Sequence, residues 1–225
     1  MACAAFFLTK FGVKEANISL RMLVFLHPDN PQQRIIKQIV EVLNHGGIII
    51  YPTDTIYGLG CSIFQRKAID AICRVKQVDP AKANLSFVCS SLSDLSKYAS
   101  QIDTPTYRLL KQNLPGPYTF ILPASREVPK ILQSRKATIG LRIPQNNIAM
   151  ALVEALGHPI LSATLPGDMV EDYTDPATMQ QNFGHLADFV IDGGPGGFEP
   201  STVVDLTGPE PLVTREGKGF AELIL

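Results

Sequence analysis

Apolar residues Ile35, Ile36, Ile39, Val40 and Leu43 recur at helical spacing, and Gly46-Gly47 then stops the pattern. The period changes at once. Ile48 to Tyr51 is an unbroken apolar run and predicts a buried strand. The alternation continues along the chain. Ala68, Ile69, Ile72, Cys73 and Val75 predict a second helix, and Leu85 to Cys89 a strand. Ser91 with Asp94 reads as a capping box for a helix through Ala99. Thr104-Pro105 opens another, with Thr104 as cap and proline in the first turn. Tyr118 to Leu122 and Thr138 to Ile143 read as strands, and Asn147 to Leu156 as a helix stopped by Gly157. Ile160 to Ala163 and Phe189 to Ile191 are short strands; Thr202 to Leu206 and Leu212 to Arg215 form a closing pair. Mixed order at both ends predicts an α/β (α+β) fold with a twisted sheet of mixed direction, not a doubly wound one.

Composition narrows the picture. The 225 residues are 45% hydrophobic and 18% charged, which suits a single domain with a real core. A net charge of -1 gives no global attraction to nucleic acid or membrane. Cys3, Cys61, Cys73 and Cys89 form no C-x-x-C, so structural zinc is not expected and a reducing cytoplasm suits them. Met1 to Leu8 is too short to span a bilayer, and Lys10 and Lys14 follow it, the wrong order for a secretory signal. Residues 22–225, which no hydrophilic linker divides, are read as one domain, and residues 1–21 as an extension or an upstream start.

The candidate chemistry lies where the first strand ends. Pro52-Thr53-Asp54-Thr55 and then Tyr57-Gly58-Leu59-Gly60 put hydroxyls, a carboxylate and glycines at a rigid strand end. A ligand site and an ordinary glycine turn both fit. Asp54 reads either as a general base or as a turn-capping carboxylate. No Walker A and no G-x-G-x-x-G is present. Gly193 to Gly197 could cradle phosphate, but its composition favours a mobile loop before the final strands; residues 192–201 could gate access to a ligand. Arg142, inside the apolar run Ile139 to Ile143, needs an anion. With Arg126, Lys130, Arg135 and Lys136, against Glu127, it reads either as a basic strip for a phosphate backbone or as a solvated helix face. His27, His45, His158 and His185 share no spacing and are not read as metal ligands.

Taken in order, several segments resemble the YrdC family of threonylcarbamoyl-AMP synthases, in particular its YciO branch. They are Pro52 to Thr55 with Tyr57 to Gly60, Lys76, Pro115 to Thr119, Thr138 to Pro144, Ser201 to Asp205 and Arg215 to Gly217. The resemblance implies a YrdC/RibB-like fold, with the sheet lining a concave basic cavity and helices outside. It implies a nucleotidyltransferase that uses threonine, bicarbonate and ATP with Mg2+. On the matching positions, Lys76 is the catalytic cation. Thr53, Arg142, Thr164 and Ser201 are substrate-binding, and Lys76, Thr138 and Arg215 nucleotide-binding. Two positions depart from the pattern. Val78 stands where the family's Lys-x-Arg pair has arginine, with Arg74 a candidate substitute, and Pro166 stands where its Ser-x-Asn run has asparagine.

Two function classes follow. One is a synthase serving tRNA modification. The other keeps the fold as a module for double-stranded or structured RNA, supported by the basic strip and the two altered motifs. The same chemistry on another amino acid, or hydrolysis of a nucleotide, is a third.

Overall fold

The computed structural model describes residues 22–79, 85–132, 137–167 and 169–224. Ten strands among them form one mixed sheet. They are β1 (Met22–Phe25), β2 (Ile48–Tyr51), β3 (Gly58–Ser62), β4 (Ser86–Val88), β5 (Tyr118–Pro123), β6 (Thr138–Arg142), β7 (Ile160–Thr164), β8 (Phe189–Asp192), β9 (Thr202–Asp205) and β10 (Leu212–Arg215). Their order is β1-β8-β2-β3-β7-β4-β6-β5-β9-β10. Four pairs are parallel (β1·β8, β2·β8, β4·β6, β5·β9) and the rest antiparallel, as the mixed element order predicts.

The principal helices are α1 (Gln33–Asn44), α2 (Arg66–Val75), α3 (Leu92–Tyr98), α4 (Thr104–Asn113), α5 (Asn147–Leu156), α6 (Glu171–Thr174) and α7 (Pro176–Phe183). Local chemistry sets their ends. Asn146 caps α5 by accepting from the Ala149 N–H, and Gly157 ends it at φ +77. Ser91 caps α3 as expected, but the Asp94 carboxylate turns to the N–H and hydroxyl of Ser90, so no reciprocal box closes. Asp103, not Thr104, caps α4 by accepting from the Thr106 N–H, because its carboxylate reaches the first turn.

Strand pleating gives the sheet two faces. One carries Ile50, Leu59, Phe87, Phe120, Leu141 and Leu161, and packs against residues of α2, α3 and α4. On the other, Ile49, Tyr51, Val88, Ile160 and Ile191 pack under α1 and α5. Following the register of that second face outward changes its character. Val88 pairs with Arg142. Phe120 pairs with Leu141, which places Thr119 beside Arg142. Thr119 pairs with Val203, and Val203 with Arg215. Apolar positions thus give way to hydroxyls and guanidiniums beyond the helices.

Candidate functional site

Tyr51 ends β2 on the second face, opposite Gly58. The glycines of β3 leave room for its ring, since a Cβ on Gly60 would lie 2.8 Å from Tyr51 Cε1. The ring crosses β3, and its hydroxyl donates to Ser162 Oγ on β7 at 2.9 Å. Burial pushes the Tyr51 phenol up to about 12, so it remains a neutral donor at physiological pH. Gly58-Leu59-Gly60 is accordingly a strand with a bare face, not a turn.

The loop after Tyr51 is fixed by its own hydroxyls. Thr53 Oγ1 donates to the Ile56 carbonyl at 2.8 Å and accepts from the Thr55 N–H at 3.1 Å. This geometry turns Asp54 toward β6. Its Oδ1 lies 2.6 Å from Arg142 Nη2, with both side chains 8% exposed. Oδ2 accepts from the Gln145 N–H, and the buried Thr55 hydroxyl accepts from the same Arg142 nitrogen at 3.2 Å. The anion that Arg142 needs is therefore inside the protein. Asp54 serves neither as an unpaired base nor as a local turn cap. Arg142 Nε is buried with no hydrogen-bond partner in the structure.

A second constellation adjoins the first. Ser201, buried before β9, has its hydroxyl 2.9 Å from Thr119 Oγ1. Arg215 grips Ser201 twice, Nε to the carbonyl and Nη2 to the hydroxyl, both at 2.9 Å. Desolvation, then the positive charge of Arg142, lowers the pKa of Arg215. Lys218 Nζ donates to the Asp54 carbonyl at 2.5 Å and joins the two groups.

Of the residues expected at the site, Thr53, Arg142, Ser201 and Arg215 belong to this network. Thr138 and Thr164 share its sheet face by register, at β6's start and β7's end. Lys76 is the C-cap of α2. Among the described residues its ammonium has no hydrogen-bond or ion-pair partner, so no contact joins it to the others. Arg74 and Val78 line a separate cavity of about 480 Å³ with Lys67, Asp70 and Cys73, so Arg74 is not seated among the site residues. Pro166 is exposed.

The basic strip loses Arg142. Arg142 is buried in its ion pair, Arg126 and Lys130 are exposed, and Arg135 and Lys136 lie outside the described residues. The Gly193 to Gly197 loop is not loosely held. Tyr57 Oη accepts from the Gly193 N–H and donates to the Gly194 carbonyl, while Gly196 and Gly197 bond to the Thr174 and Thr55 carbonyls. A Cβ on Gly197 would meet the Thr55 carbonyl at 2.4 Å, so glycine here serves packing rather than looseness.

Sequence reasoning gave no role to Tyr51, Thr119, Ser162 and Lys218. Thr119 and Ser162 were accessible through strand parity, because each alternates with core residues. The pairing of Lys218 with a residue 164 positions away had no local signal.

Comparison with known proteins places the chain among relatives. The Sua5/YciO/YrdC family model, described as "Telomere recombination", matches residues 41–217. The uncharacterized protein YciO of Escherichia coli K12 is 48% identical over 198 residues, covering 87% of this chain and 95% of that protein. Its crystal structure superposes with a TM-score of 0.84 at 45% identity, over 91% of this chain and 99% of that one. Threonylcarbamoyl-AMP synthase of Pyrococcus abyssi is 31% identical over 177 residues, 78% of this chain but 52% of the synthase. The P. abyssi Sua5 structure complexed with L-threonine gives a TM-score of 0.75 at 26% identity, over 87% of this chain and 57% of that one. This chain belongs to the Sua5/YciO/YrdC family.

Proposed function

We propose that this protein binds an amino acid and ATP on the polar half of its second sheet face and catalyses carbamoyl-adenylate formation. Threonine is the first candidate substrate. Its amine and bicarbonate give a carbamate with loss of water. A carbamate oxygen attacks the α-phosphorus of ATP, the α–β bridging bond breaks, and pyrophosphate leaves with the electron pair. The products are threonylcarbamoyl-AMP, pyrophosphate and water.

The observation that carries this reading is the hydrogen-bonded gathering of Thr53, Thr55, Arg142, Thr119, Ser201 and Arg215 beside the second sheet face. Fixed guanidiniums stabilise charge that develops at phosphorus, and they need no reorganisation when held by internal hydrogen bonds. Thr53 and Ser201 would orient the amino acid. Arg142, locked by Asp54, would hold the carboxylate of the amino acid. Thr138 and Thr164, on the same face, would contact the nucleotide and amino acid. Lys76 would close on the phosphates from the end of α2. Mg2+ would enter as part of the nucleotide substrate.

Release of pyrophosphate from ATP by the purified protein tests the reading, with threonine and bicarbonate supplied singly and together. The expected result is release that requires both and is lost in Lys76→Ala. Threonine binding without turnover under any of these conditions would overturn the catalytic part.

A further inference from the structure

Lys218, 164 positions after Asp54, brings a positive charge to the site from the end of the fold. We propose that Lys218 is a phosphate-binding residue of this site, serving the β- and γ-phosphates of a nucleoside triphosphate. This assignment rests on the nucleotide-binding part of the proposed function.

The backbone around Lys218 is set before any ligand arrives. Its N–H donates to the Pro200 carbonyl at 2.9 Å, and its carbonyl accepts from Thr202 Oγ1 at 3.1 Å. Gly217 permits the close approach, since a Cβ there would lie 2.3 Å from the Pro200 carbonyl oxygen. The Gly219 carbonyl accepts from Tyr118 Oη at 2.9 Å, which ties the other side. Only the side chain of Lys218 is left to move, and it reaches back over the site to Asp54.

Its contact there is a backbone carbonyl, not a carboxylate. The Asp54 carboxylate is already spent on Arg142 and the Gln145 N–H. Among the described residues Lys218 has no ion-pair partner, so it carries an uncompensated positive charge at the exposed rim. Arg215 is likewise held by neutral oxygens of Ser201. Two cations with bonded backbones and no salt-bridge partner among the described residues suit a ligand with more than one negative charge. An amino-acid carboxylate needs only one. A triphosphate oxygen would displace the carbonyl contact, exchanging a charge–dipole interaction for a charge–charge one.

The experiment measures binding of Mg-ATP and of AMP by titration calorimetry to the unaltered protein, Lys218→Met and Lys218→Arg. Methionine keeps the aliphatic length and removes the charge. The expected result is ATP binding weakened about tenfold in K218M, AMP binding changed less than about twofold, and ATP binding largely restored in K218R. Equal weakening for AMP and ATP, or no change for either, would overturn the assignment, as would failure of the unaltered protein to bind ATP. Far-ultraviolet spectra and melting temperatures confirm that the variants are folded. If the unaltered protein binds ATP but releases no pyrophosphate with threonine and bicarbonate, the synthase reading fails while the Lys218 comparison still stands.

Discussion

One sheet face has two halves built on the same pleat, and they answer to different demands. Under α1 and α5, Ile49, Val88, Ile160 and Ile191 are buried with no polar contact to satisfy. A few strands across, the same face presents Thr119, Arg142 and Arg215, each bonded to another polar group. The covered half gains stability simply by excluding water. The polar half must hold the buried Arg142 and Asp54 charges in place, and it does so through bonds between distant segments. Tyr51 stands at the border, with its ring in the apolar half and its hydroxyl on Ser162.

The largest expected break is in the polar half. Arg142→Ala leaves Asp54 buried without its partner and should cost roughly 3–5 kcal/mol. Urea unfolding checks this, and Asp54→Asn in the same background should recover part of the loss. A double variant no more stable than the single would show that the ion pair is not the cause. The border comes next. Gly60→Val places a side chain where Tyr51 and Ile160 already pack, and overpacking should cost about 1–3 kcal/mol. A melting temperature equal to that of the unaltered protein would mean the Tyr51 ring can move aside. The smallest effect concerns the covered half near the start of β7, where desolvation lowers the pKa of His158. The folded state prefers the neutral ring, so its stability is complete above the unfolded value of about 6.5 and declines as pH falls through the lowered folded value. His158→Gln should flatten the stability profile below about pH 6.5, and an unaltered slope would assign that slope to other groups.

These sites also show what a sequence can and cannot reveal. Ile48 to Tyr51 was legible because four β-formers in a row have few alternatives, and Asn147 to Leu156 because both caps are written beside it. β3 was not, since glycine is a poor strand former and hides a period of two that Leu59 and Cys61 still carry. α7 was missed although Asp175-Pro176 is a start signal of the same kind as Asp103 before Pro105. For the site, Arg142 was recognisable as an arginine that wants an anion, yet its partner lies 88 positions away and no local pattern points to Asp54. The basic strip misled for the same reason, because proximity along the chain says nothing about which way Arg142 points.

The bond from Lys218 to Asp54 also sets an order in time. A ribosome delivers Thr53 and Asp54 early, while the cation that bridges to them comes 164 residues later. Strands β2 to β8 can gather as they emerge, but the rim of the site stays open until the last strand pair has been released. A newborn chain therefore acquires its core before its binding surface, and every copy stalled or cut short before residue 218 would resemble the finished protein in bulk and lack its final contact.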